Sequence, residues 1–101
     1  MGLRDGELDA EELFKAIAVE VPRRIGEFNA QEMANTVWAF ATASVAADPL
    51  FKAVAAEVPR RIGAFNAQEM ANTVWAFATA RIAADSLFKA VAYEVPRRIV
   101  E

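Results

Sequence analysis

The sequence predicts an all-α fold, a short α-solenoid of antiparallel helix pairs in the order A-B-A-B-A. Three observations carry that expectation. Residues 13–49 and 50–86 are identical at 31 of 37 positions, and a further copy begins at Leu87. Periods of this length mark arrays in which each unit leaves a face that only its neighbour covers. Each unit also holds two stretches with apolar residues at helical spacing, and the second of them opens on the helix-start signal Asn-Ala-Gln-Glu. The units therefore run over 13–49, 50–86 and, in part, 87–101, behind an acidic lead-in over 1–12.

In the second unit, Asp48 reads as the N-cap of helix A and Pro49 as its first helical residue, where a missing N–H costs nothing. At about 100° per residue, Leu50, Phe51, Val54, Ala55, Val58 and Ile62 share one arc, the expected core face. Pro59 falls inside this stretch and removes a backbone hydrogen bond, so a kink or break is expected there and again at Pro22 and Pro96. Helix B starts with Asn66 as N-cap and Glu69 three residues on, a capping box, with Phe65 and Met70 at the positions of a hydrophobic staple. Its apolar arc reads Met70, Ala71, Val74, Trp75, Phe77, Ala78 and Ile82. Gln68, Asn72, Ala76, Thr79 and Ala83 fall on the other side. A helix this apolar is expected to be the packed, inner one. The third helix A has no helix B behind it, so Leu87, Val91, Val95 and Ile99 are expected to lie partly open. Such a face implies dimerisation, docking on a larger partner, or a cut through a longer array.

Composition narrows the chemistry. The chain has 101 residues, 55% of them hydrophobic and 25% charged, which is the composition of one folded domain rather than of a disordered segment. Cysteine and histidine are both absent. That excludes disulfides, thiolate nucleophiles, the usual zinc and iron ligand sets and His-based acid–base catalysis, so neither an enzyme nor a metal or cofactor site is expected. The net charge of −3 argues against indiscriminate polyanion binding. No apolar run reaches the roughly 20 residues of a membrane span. The start, Met1-Gly2-Leu3-Arg4-Asp5-Gly6-Glu7, resembles neither a secretory nor a transit peptide, so work in an organelle would imply a mature form or a fragment.

Two exposed patterns are candidate binding surfaces. On helix A, Lys15-Val19-Arg23, Lys52-Ala56-Arg60 and Lys89-Tyr93-Arg97 repeat at i, i+4, i+8, and stacking the units would align six cations in a layout suited to phosphates. The middle position varies between copies, as do Glu27/Ala64 and Ser44/Arg81, and Tyr93 has a ring that could stack on a base. Drift at exposed positions is the plainer account of that variation, and a solvated helix face that of the stripe. Arg24, Arg61 and Arg98 each follow a Glu by four residues and are expected to be paired with it. On helix B, Gln31, Asn35 and Thr42 recur as Gln68, Asn72 and Thr79, able to meet base edges or to fix the register between helices. Trp38, Trp75, Phe40 and Phe77 fall on the apolar arc and read as core. Glu32 and Glu69 read as capping residues rather than catalytic acids.

The segment Phe28-Asn29-Ala30-Gln31-Glu32-Met33-Ala34-Asn35-Thr36-Val37-Trp38-Ala39-Phe40-Ala41, repeated from Phe65 to Ala78, resembles the octotricopeptide repeat family and its heptatricopeptide relatives. So does the Leu-Phe-Lys-Ala that leads into a Glu and an Arg pair in the preceding helix. Those families are α-solenoids that bind RNA in chloroplasts and mitochondria, and the resemblance runs from about Leu13 onward. It implies single-stranded RNA as partner, through Lys15, Arg23, Lys52, Arg60, Lys89, Arg97, Tyr93, Asn35 and Asn72, and a chloroplast or mitochondrial location. The family's members carry many diverged units, whereas this chain has fewer than three nearly identical ones. The kinked helix A is also similar to that of HEAT repeats, which are mostly protein-binding scaffolds, although helix B lacks their pattern. The leading expectation is therefore RNA binding in organellar RNA handling. Its alternatives are a structural subunit docked on a large ribonucleoprotein or protein assembly, and an engineered consensus-like array.

Overall fold

The computed structural model describes residues 10–45 and 47–99. The acidic lead-in lies outside these residues except for its last three, which already belong to the first helix. Five α-helices follow one another: α1 (Ala10–Arg23), α2 (Ala30–Thr42), α3 (Asp48–Arg60), α4 (Ala67–Ala80) and α5 (Asp85–Ile99). A single 3-10 turn joins α1 to α2 (Ile25–Glu27) and α3 to α4 (Ile62–Ala64). No strand occurs among the described residues, so the all-α expectation holds. The A-type helices α1, α3 and α5 pack side by side in one layer, and α2 and α4 in a second.

Local signals set the element ends. At α2 and α4 the capping box forms in full: the Glu32 and Glu69 backbone N–H groups donate to Asn29 and Asn66 at 2.7 Å, and the cap N–H groups donate back to the Glu carboxylates at 2.9 Å. At α3 the cap is Ala47, one residue before the expected Asp48, with no side-chain bond. Asp48 sits in the first turn instead, where its charge faces the positive end of the helix dipole. Pro22 and Pro59 are the next-to-last residues of α1 and α3, so each proline ends its helix and the chain continues as the 3-10 turn. In α5 the helix continues past Pro96 to Ile99. Helix B ends on a left-handed residue, Ser44 (φ 60°) or Arg81 (φ 61°). The following N–H groups, of Val45 and Ile82, close on the carbonyls of Phe40 and Phe77.

Comparing equivalent positions shows which residues face a neighbouring unit. Leu13 is half exposed, while Leu50 and Leu87 are fully buried. This leucine therefore faces the unit before it, and among the described residues only the first copy has none there. The same geometry corrects the expected open face of the last helix: Leu87 and Val91 are buried, Val95 is half-buried, and only the Ile99 side chain lies outside the described set. Between α2 and α4, Ala34, Val37 and Ala41 are buried, whereas their copies Ala71, Val74 and Ala78 are not. Conversely Thr73 and Ala76 are fully buried, whereas Thr36 and Ala39 are only half so. The seam is thus Ala34-Val37-Ala41 against Thr73-Ala76. These small side chains let the two helices approach closely. Bulkier Leu, Phe and Val side chains fill the buried face of the A layer. Thr73 is the one buried polar residue among those described, and its hydroxyl donates to the Glu69 carbonyl at 2.7 Å. Edge-to-face rings tie the layers together, Phe14 on Phe40 at 4.7 Å and Phe51 on Phe77 at 5.0 Å.

Candidate nucleic-acid interface

The buried arc of α3, from Leu50 through Phe51, Val54 and Val58, leaves Lys52, Ala56 and Arg60 on the opposite side of the helix. All three copies of the stripe are exposed. Because α1, α3 and α5 lie side by side, the stripes become rows that cross the array: Lys15, Lys52 and Lys89 in one, Arg23, Arg60 and Arg97 in the other. The variable residues Val19, Ala56 and Tyr93 form the row between them. Lys15 pairs loosely with Glu11 at 3.8 Å, and the Arg97 guanidinium lies 5.2 Å from the centre of the Tyr93 ring. Arg23, Lys52, Arg60 and Lys89 make no ion pair among the described residues.

The neighbouring arginines behave differently. Arg24, Arg61 and Arg98 pair with Glu20, Glu57 and Glu94 at 2.9–3.0 Å, as their spacing predicts. The spacing does not show that two of them also reach across to the unit before. Arg61 donates to the carbonyls of Phe28 (2.7 Å) and Ile25 (2.9 Å), and Arg98 to those of Phe65 (2.7 Å) and Ile62 (3.2 Å). Each guanidinium thus clamps the 3-10 turn of the preceding unit, and these arginines are structural.

Helix B presents the opposite face. Met33 and Phe40 point at the A layer, and Gln31, Asn35, Trp38 and Thr42 form a line on the far side, copied as Gln68, Asn72, Trp75 and Thr79. Trp38 and Trp75 are not core, as the single-helix reading had them, but 45% and 46% exposed, with ring centres 6.1 Å apart. Phe40 and Phe77 are the core residues expected. The amides make no hydrogen bond among the described residues, so they do not fix the register of the helices. Gln31, Asn35, Gln68 and Asn72, with Asn66 and Glu69, line a cleft of about 140 Å³ between the N-terminal halves of α2 and α4. The sequence signal that finds the tryptophans is their place in the Gln-x3-Asn-x2-Trp-x3-Thr line, one residue per turn, rather than their hydrophobicity.

Two layers of short paired helices, with rows of cations on one face and an aromatic–amide line on the other, define an α-helical repeat protein. The chain belongs to the family of the RNA-editing substrate-binding complex 6 protein, whose model matches residues 4–100. No curated protein and no solved structure matches it.

Proposed function

We propose that this chain is a non-catalytic component of an RNA-editing substrate-binding complex and contacts single-stranded RNA through the A-layer face. The observation that carries this reading is the alignment of Lys15, Lys52, Lys89 and of Arg23, Arg60, Arg97 into two rows, most of them without a carboxylate partner among the described residues. Phosphate contacts dominate nucleic-acid affinity, and the B face offers amides and rings but no row of cations. Family membership supports an RNA-related role, and the Asn-Thr-Val-Trp-Ala-Phe-Ala core supports kinship with octotricopeptide-type repeats. An organellar site, the mitochondrion in particular, goes with this reading. Tyr93, between Lys89 and Arg97, is placed to stack on a base.

A second reading has a specific observation in its favour: the two half-exposed tryptophans and the unbonded amides make the B face a platform for bases, with Asn35 and Asn72 at its centre. One titration separates the two. Single-stranded RNA of mixed sequence is bound at a series of salt concentrations by the chain, by Lys52→Glu/Arg60→Glu and by Trp38→Ala/Trp75→Ala. The A-face reading expects the charge variant to lose at least tenfold in affinity and to flatten the salt slope, with the tryptophan variant close to unchanged. The reverse pattern would transfer the interface to the B face, and no binding at low salt would remove RNA contact from the chain altogether.

A further inference from the structure

The outward line of the B layer is a property of a face, not of an end of the array. α4 packs beside α2 and still leaves Trp38 exposed, and Trp75, flanked by α2 on its other side, is exposed to the same extent. A further B-type helix beside α4 would leave Trp75 as open as α4 leaves Trp38. On this face the side chains are copied without change, Asn35 as Asn72 and Trp38 as Trp75. Identical side chains on successive units match a ligand that itself repeats. A main chain repeats whatever its sequence, whereas bases repeat only in a homopolymer.

Charge decides which main chain suits the face. α2 and α4 carry one carboxylate each, Glu32 and Glu69, and no lysine or arginine. A sugar–phosphate backbone needs cations, so these helices disfavour it. A peptide backbone is neutral and offers one donor and one acceptor per residue, which a carboxamide can meet with its own acceptor and donors. Asn35 and Asn72 are free to do so, and they line the cleft of about 140 Å³ together with Glu69. Glu69 is half-buried there: one carboxylate oxygen takes the Asn66 N–H at 2.9 Å, and the other has no partner among the described residues. The indole centres stand 6.1 Å apart, close to the roughly 6.6 Å between alternate side chains on one side of an extended strand. Indole faces attract guanidinium and ammonium groups.

We infer that the B face holds an extended basic segment of a partner protein, laid across α2 and α4. Its main chain hydrogen-bonds to the amides of Asn35 and Asn72. Alternate arginine or lysine side chains lie against Trp38 and Trp75, and one of them reaches the Glu69 carboxylate. The inference goes beyond the A-face reading and does not rest on it, because RNA along the A layer leaves this layer free. It competes with the reading of the same face as a platform for bases.

The test uses the full chain and a labelled short peptide of alternating arginine and alanine, followed by fluorescence anisotropy. Saturable binding is expected, weakened at least tenfold by Trp38→Ala/Trp75→Ala and by Asn35→Ala/Asn72→Ala. Glu69→Gln keeps the capping box and should weaken binding by about threefold through the lost charge alone. A peptide of alternating glutamate and alanine should not bind. Alanine is the better helix former at each substituted position, so circular dichroism should show the variants folded. Absence of saturation overturns the proposal, and so does binding indifferent to the tryptophan and asparagine variants, which would be attraction to the net negative charge alone. Oligouridine that displaces the peptide, and that itself no longer binds Trp38→Ala/Trp75→Ala, also overturns it and gives the face to RNA. Peptide binding with no RNA binding at low salt would remove the A-face reading and leave this one standing; the opposite result would do the reverse.

Discussion

Arg24 and Arg61 are the same residue in the same Pro-Arg-Arg sequence, each paired with a glutamate four residues earlier, yet they occupy different physical settings. Arg24, at the edge of the array, has a side chain 58% exposed and no contact to another unit among the described residues, while Arg61, inside it, is 28% exposed and clamps two carbonyls of the preceding turn. An exposed i, i+4 pair is worth a few tenths of a kcal/mol, whereas a guanidinium whose loss strands half-buried acceptors and a half-buried carboxylate is worth several times more. In a repeat array, energetic worth follows from having a neighbour rather than from residue identity.

That contrast can be broken at several points. The largest effect expected is from Arg61→Ala, about 2 kcal/mol of unfolding free energy, because the carbonyls of Ile25 and Phe28 and the Glu57 carboxylate lose their partner. Arg24→Ala should cost no more than about 0.5 kcal/mol. Urea denaturation of the pair measures the difference, and equal losses would mean that the clamp contributes nothing. Next comes the seam between α2 and α4. Ala76→Leu forces the bulk of an isopropyl group into a closed contact and should cost about 1–3 kcal/mol, while Ala39→Leu at the open edge should be close to neutral. A control sharpens the comparison from the other side. Asn29→Ala and Asn66→Ala each break a capping box that is wholly internal to its unit, so both should cost about 1 kcal/mol and to the same extent. The smallest effect is a gain: Ser44→Gly and Arg81→Gly relieve a left-handed backbone at a net benefit of about 0.5 kcal/mol each, read as a small rise in thermal midpoint.

Most of the fold could be read from the sequence because its determinants are local. Asn29–Glu32 and Asn66–Glu69 fix two helix starts, Pro22 and Pro59 fix two ends, and the Leu-Phe-x2-Val spacing marks the buried face of helix A. What could not be read depended on which side of each helix receives a neighbour. A single-helix projection places Trp75 beside Phe77 and Ala76 on the far side. The structure reverses the status of Trp75 and Ala76, because α2 covers the Thr73–Ala76 edge and nothing described covers the tryptophan. Leu87 reads as partly open for a related reason: helical spacing alone does not say whether its face meets the unit before or the unit after, and in the fold it is buried against the preceding helices. At the candidate site, the cation rows follow directly from spacing, while the aromatic–amide line emerges only once the exposed side of helix B is known.

The paired tryptophans have a practical consequence. They are the only two in the chain, one per unit, with rings 6.1 Å apart across the seam between α2 and α4. Indoles that close should couple electronically, giving a paired positive and negative band in circular dichroism that fades as the rings separate. The protein thus carries its own label-free gauge of the distance between adjacent units. Any partner that bends, spreads or locks the array should register on it before a global unfolding signal changes.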